Sequence, residues 1–426
     1  MATPREAFAK RRKVVGFSQE RLALHLGVTT GTVGRWERGE ATPEPPTQRR
    51  LVRALELTSL RELLELLHPQ KSLLTVADEC VEMRSIGSRS GQPRRDPRGS
   101  IQIGHSLDRV HGVIPLVRRA LDAFDLPDDG PTRTLVEISA DVARVNEHRL
   151  EARYGALADA LPDLLAELAR AGQLAMEGLQ QQQVALLRAL ALRAADGIAF
   201  KFGYLDLSAR LIDLMRQSAA QANDPLLVAA AEYVRTETFF ASGDLSTAGR
   251  ALVKAASESS LSNLDDEHVA AAYGSLHMRA AVVAGRIGDP RAARDHLSEA
   301  NEAAKRVPEG VYRGTAFGPQ SIRIHELAVA TELRDPAGIE RAATWHPSGE
   351  LPAERRSHYY IELSNAQHEL GHHEEAYVCI EMARDAAPQH TREHPQVKST
   401  LASLLQHRPG NSRVVGLAAW AGARAI

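Results

Sequence analysis

Apolar residues in the first 67 positions fall into short helical patches separated by turn signals. Phe8, Val14 and Val15 predict the apolar side of a first helix, ended by Gly16. Ser18 can cap a second helix that buries Leu22, Ala23 and Leu26 and closes at Gly27. Thr29 caps a third piece, Thr30 to Arg38, with Val33 and Trp36 inward at i, i+3 spacing and a stop at Gly39. Residues 41–46 hold three prolines and read as a loop. Helices from about Thr47 to Leu57 and from Leu60 to Leu67 then supply Leu51, Leu55, Leu63, Leu64 and Leu67 to the same core. The pattern predicts a five-helix domain over residues 1–67.

Residues 85–100 are rich in Gly, Ser, Pro and Arg with almost no apolar content, so they predict a flexible linker inside a connecting segment, 68–104. From about 105 to 410 helical patterns follow one another, and 411–426 reads as a terminal helix or tail. One phrase recurs. Gly243-Asp244-Leu245-Ser246-Thr247-Ala248 is followed by Ala255, Gly288-Asp289-Pro290-Arg291-Ala292-Ala293 by Ala300, and Gly371-His372-His373-Glu374-Glu375-Ala376 by Ala383 and Pro388. Weaker copies stand at Gly203 and at Arg334-Asp335-Pro336, so the turns are 40, 45, 46 and 37 residues apart. This helix–turn–helix unit with small residues at the crossing resembles the tetratricopeptide repeat, although its periods are longer than the family's. The resemblance implies a solenoid with a concave inner face, and the segment 105–200 would add degenerate pairs.

Composition sharpens the picture. Aromatic residues make up 4% of the 426 residues, so the core must be built mainly from Leu, Ala and Val, which favours helix. The expected fold class is all-α. Net charge is −2, but residues 1–105 carry a balance of +6 and the remainder −8, so only the N-terminal part is suited to a polyanion. Two cysteines, Cys80 and Cys379, are too few for a disulfide framework. No apolar run is long enough to span a membrane, and the basic N-terminus lacks the apolar stretch of a signal peptide, so a cytoplasmic location is expected.

The segment from Gly16 to Gly39, with its Ser18-Gln19 opening, turn Gly27, apolar Val33 and Trp36, and closing Glu37-Arg38-Gly39, resembles the Cro/C1-type (XRE) helix-turn-helix family. The match covers about 65 residues and implies a lambda-repressor-like DNA-binding domain whose third helix lies in the major groove of double-stranded DNA. With Val33, Trp36 and Glu37 inward, Thr30, Gly31, Gly34 and Arg35 face the groove. Arg35 can pair with both guanine O6 and N7, and Thr30 can touch a thymine methyl. The two glycines let the backbone approach. Gln19 can reach a phosphate or clamp a base-reading side chain, and Thr32, Arg38, Arg49 and Arg50 are phosphate candidates. The family often joins Arg12 and Glu37 in a structural ion pair, which competes with a phosphate role for Arg12.

His368-Glu369-Leu370-Gly371-His372 matches the His-Glu-x-x-His signature of zinc proteases, with Glu393 a conceivable third ligand. That chemistry needs both histidines on one unbroken helix, whereas Gly371 is the repeat's turn glycine. No metal, cofactor or enzymatic activity is therefore expected. No Walker-type phosphate loop occurs.

By the tetratricopeptide resemblance, the first helix of each pair lines the inner groove. Registering on the turn glycines places Tyr233, Glu237 and Phe240 inward, then Ser275, Met278 and Val282, then His358, Ile361, Asn365 and His368. The domain pairing resembles peptide-pheromone-responsive bacterial regulators. It implies a homodimeric, sequence-specific transcription regulator with a peptide, protein or small-molecule effector in the groove. A scaffold protein with a vestigial helix-turn-helix stays open as the alternative.

Overall fold

The computed structural model describes residues 5–26, 28–43, 45–55, 57, 60–67, 97–175, 178–407 and 410–424, without the side chains of residues 45, 46, 49, 60, 61, 64, 65 and 97–107. It is all-α apart from one short hairpin, and it divides into two compact units, Met1–Arg94 and Arg95–Ile426.

The first unit holds α1 (Glu6–Val14), α2 (Gln19–Leu26), α3 (Thr30–Glu37), α4 (Pro45–Ala54) and α5 (Leu60–Leu67). Ser18 Oγ accepts from the Arg21 amide at 3.1 Å and Thr29 Oγ1 from the Thr32 amide at 3.2 Å, so both expected caps are made. Phe8, Leu22, Leu26, Val33, Trp36, Leu51, Leu55, Leu63 and Leu67 form one buried cluster. Two expectations fail. Val14 is 68% exposed, because its helix turns only one narrow face inward and Phe8 and Arg12 occupy it. Helix α4 begins at Pro45 rather than Thr47, since a proline fits the first helical turn, where its missing N–H has no partner to lose. Gly27 and the side chain of Leu64 lie outside the described residues.

The second unit opens with α6 (Pro97–Asp122), α7 (Leu135–Leu150), α8 (Tyr154–Leu174) and α9 (Leu179–Lys201). Then come α10 (Leu205–Gln221), α11 (Pro225–Ser242), α12 (Leu245–Ala256), α13 (Glu267–Ile287) and α14 (Pro290–Ala304). A hairpin of β1 (Gly310–Tyr312) and β2 (Thr315–Phe317) precedes α15 (Pro319–Glu332), α16 (Pro336–Ala343), α17 (Ala353–Glu369) and α18 (His373–Ala386). Helices α19 (Pro388–Glu393), α20 (Pro395–His407) and α21 (Ser412–Ala421) end the unit. Residues 97–100 of the expected linker form the first turn of α6, with Pro97 at its start; 85–96 lie outside the described residues. Pro388 opens α19 instead of simply ending α18.

Each of the five turn phrases joins two helices. Gly203, Gly243, Gly288, Arg334 and Gly371 all adopt left-handed backbone, with φ from 52° to 82°. That conformation reverses the chain while satisfying the last carbonyls of the preceding helix. The acids that follow then cap the next helix: Asp244 accepts from the Thr247 amide, Asp289 from those of Arg291 and Ala292. Ala248, Ala293 and Ala376, the small residues five positions on, are fully buried where paired helices meet.

The hairpin was not expected from the sequence. Its strands are antiparallel, Gly310 opposite Phe317, and turn through Arg313 and Gly314, both at positive φ, as a two-residue hairpin requires. Phe317 is wholly buried against α13, where a Cβ at Gly274 would stand 2.1 Å from its ring.

Candidate functional site

Glu37, the last residue of α3, ties three helices together. Its Oε1 accepts from Arg12 Nε of α1 at 2.6 Å and its Oε2 from Gln19 Nε2 of α2 at 2.5 Å. Arg12, almost fully buried, also donates to the Phe17 carbonyl. Arg12 therefore belongs to the internal ion pair and not to a phosphate surface. Arg5 adds a staple that the sequence did not reveal: its guanidinium donates to the carbonyls of Trp36 and Ala41 and to Thr42 Oγ1. These bonds hold α3 and the loop behind it at a fixed angle to α2. Nothing in residue type or spacing singles out Arg5, because its partners, two backbone carbonyls and one hydroxyl, lie more than 30 positions away.

Of the residues expected to face the groove, Thr30, Gly31 and Arg35 are exposed together on the outer side of α3. Arg35 Nη2 donates weakly to Thr32 Oγ1 at 3.3 Å, and Thr32 is half-buried beside Thr29. Gly34 does not share that face. It is buried beneath Arg38, whose Nη1 would lie 3.0 Å from an added Cβ, because a helical side chain leans back over the residue four positions earlier.

Arg38 itself is forked onto Glu40, with Nε–Oε1 at 2.7 Å and Nη2–Oε2 at 3.0 Å, both side chains well exposed. This hydrogen bonding holds the Glu40 carboxyl below its usual range, with the charges of Arg38 and Arg35 adding to it. Gln19 is turned inward to Glu37, so its amide N–H serves as a clamp. The side chain of Arg49 lies outside the described residues, and Arg50 is exposed.

A family model described as Helix-turn-helix matches residues 8–63, from Phe8 of the core to Leu63 of α5. Residues 8–63 are a helix-turn-helix domain. No curated protein and no solved structure matches the chain. The helix-turn-helix domain thus joins a rigid three-helix frame, set by Glu37 and Arg5, to an outer face carrying Thr30, Gly31 and Arg35 with Arg38 and Glu40 at its end.

In the second unit the expected groove residues scatter. Tyr233, Met278 and Ile361 are buried in the core, as are Ser275 and Val282. Phe240 lies between the guanidinium groups of Arg279 and Arg286, at 4.7 and 4.2 Å. Asn365 donates to Glu369 on its own helix, and His368 meets Ser403 Oγ at 2.9 Å. Glu237 and His358 of that set line one cavity shared by several helices. The register misses by about one residue in α13, where Arg279 rather than Met278 lines the cavity. A helix packed on two sides leaves one narrow open face, and one residue turns it by about 100°.

Helix α17 ends at Glu369, Gly371 takes its left-handed turn, and His372 is the N-cap of the next helix. His372 Nδ1 meets Gln367 Oε1 at 2.7 Å, away from His368's partner. Among the described residues no group of three His, Cys, Asp or Glu is placed to hold a metal ion, and no helix is long and apolar enough to cross a membrane.

Proposed function

We propose that the protein is a cytoplasmic, sequence-specific transcription regulator, without enzymatic activity, that binds DNA as a two-fold dimer and receives an effector in its second unit. The observation that carries the reading is the outer face of α3, where Thr30, Gly31 and Arg35 are solvent-exposed while Val33 and Trp36 anchor the inner face. A helix so presented fits the major groove, with Arg35 the side chain able to form a bidentate pair with guanine. Two such domains on half-sites about one helical turn apart would give the affinity that a single small domain lacks. The tetratricopeptide-like turns of the second unit support an effector or dimer role, since stacked helical pairs build extended binding surfaces.

The test is retention of genomic fragments on the full-length protein, followed by competition with random duplex. Wild type should select specific fragments. Arg35→Ala should lose about tenfold to a hundredfold of that preference, the worth of one bidentate base contact, with little loss of random-duplex binding. If wild type and variant both retain nothing at low salt, the domain does not read DNA and a scaffold role replaces this proposal.

A further inference from the structure

One cavity in the second unit, about 560 Å³ in volume, gathers six cationic side chains: Arg149, Arg193, Lys201, Arg279, Arg355 and Lys398. Three carboxylates line it too, and two are already engaged. Glu354 lies 2.6 Å from Lys201 and 3.3 Å from Arg355, and Glu393 lies 2.8 Å from Lys398. The third, Glu237, stands 4.0 Å from Arg193, whose nearer partner is the fully buried Asp196 at 3.1 Å. Burial, with the charge of Glu237 alongside, pushes the Asp196 carboxyl well above its usual range.

Arg149 and Arg279 have no carboxylate at ion-pair distance among the described residues. Arg149 donates to the Gly314 carbonyl at 2.6 Å and Arg279 to Thr236 Oγ1 at 2.7 Å; among the described residues neither forms an ion pair. Arg149 is only 5% exposed, and burial together with the charge of Arg193 pulls its guanidinium down to about 9. The Nε groups of Arg149 and Arg193 are buried with no hydrogen-bond partner, as is the hydroxyl of Tyr154. The unmet guanidinium groups are donors, so what they lack is an acceptor. Space is also kept for Arg149. A Cβ at Gly197, inside α9, would stand 2.8 Å from Arg149 Cδ, so a helix-weakening glycine holds the position that lets the arginine reach the cavity.

We propose that this cavity binds a small organic anion, with its carboxylate or phosphate held among Arg149, Arg193, Arg279 and Arg355 and its apolar body against Phe200, Phe202 and Leu205. The proposal rests on the reading of the second unit as the effector-receiving part and names the chemistry of that effector. The volume lies within the range of small-molecule pockets, about 300–1,000 Å³. A buried, counter-charge-poor cluster of guanidinium groups recognises carboxylate or phosphate through charge-assisted, paired hydrogen bonds.

Calorimetric titration and thermal melting of the full chain, at constant ionic strength, test it with phenyl phosphate, benzoate and neutral benzyl alcohol. One or both anions should bind saturably at one site per chain and raise the melting temperature, and the relative response assigns phosphate or carboxylate. Benzyl alcohol should do neither. Arg149→Met and Arg279→Met should each weaken anion binding by about tenfold or more. Unliganded Arg149→Met should melt at or above the wild-type temperature, because a buried cation without a counter-charge has been removed. No saturation by either anion into the millimolar range, variants that bind like wild type, or a large drop in the unliganded melting temperature of Arg149→Met would each overturn the proposal. DNA affinity measured with and without saturating anion separates the two readings. If the anion binds but DNA affinity does not move, the site stands and the effector-receiving role falls.

Discussion

Glu40 sits just past the left-handed Gly39 and pairs with Arg38, the residue expected to meet a phosphate. An exposed pair of this kind is weak and is readily exchanged for a stronger polyanion. Glu40→Gln should therefore tighten binding to random duplex by up to about fivefold. It should also steepen the log–log salt dependence by up to about one unit, the signature of one more phosphate contact. Fluorescence anisotropy across a salt series measures both; unchanged affinity and slope would mean that Arg38 stays off the DNA. Arg38 was expected at a phosphate, and its pairing with Glu40, two positions on, was not anticipated from the sequence. Nor was the burial of Gly34, because it depends on which way the Arg38 side chain leans. Arg12 and Glu37, 25 positions apart, could be paired only through the family resemblance, and they are paired.

At the scale of elements, glycines act here in two different ways. At the Gly288 turn nothing lies within 4 Å of an added Cβ, so Gly288→Ala should cost only the left-handed backbone penalty, about 1 kcal/mol. Arg334 occupies the same conformation without being glycine, so Arg334→Gly should gain a similar amount. Gly274, mid-helix in α13, is the opposite case: an added methyl would strike the buried Phe317 ring, at an overpacking cost of about 1–3 kcal/mol. Chemical denaturation of the three variants orders them, and hydrogen exchange should show loosening of the 310–317 hairpin only in Gly274→Ala. The turn phrases were legible because a tight reversal needs few residue types at fixed offsets. The hairpin was not, since three-residue strands carry too short a pattern to register as a period.

Over the whole molecule, buried and half-buried histidines set a response to acid. Burial pushes His325 down to about 3, His277 and His394 to about 4, and His358 and His390 well below their usual value. Unfolded, each would take a proton near pH 6.5. As pH falls below that value the unfolded chain binds protons that the folded chain refuses, and stability is lost until the folded values are reached. Asp196, pushed well up, and Glu362, pushed up to about 7, work the other way, since the folded state keeps their protons as pH falls through 7. These histidines outnumber the two acids, so scanning calorimetry should find the second unit melting at steadily lower temperature from pH 7 to pH 5. A flat or rising profile would contradict this balance. Little of it could be read in advance: a histidine's neighbours along the chain do not tell whether packing leaves it dry.

The chain by itself determined the all-α class, the five-helix start with its caps, and the five chain reversals, because these depend on residues within a few positions of one another. It also carried an unread mark of the cavity: Ile138, Val142, Val145 and Arg149 share one buried stripe of α7, an arginine where an aliphatic residue would be expected. What only the tertiary structure decided was which residues meet. The cavity draws on α7, α9, α13 and α17, and on which side of each helix remains open once its neighbours have packed. That choice turns on steps of about 100° per residue, finer than a periodicity of apolar positions can resolve.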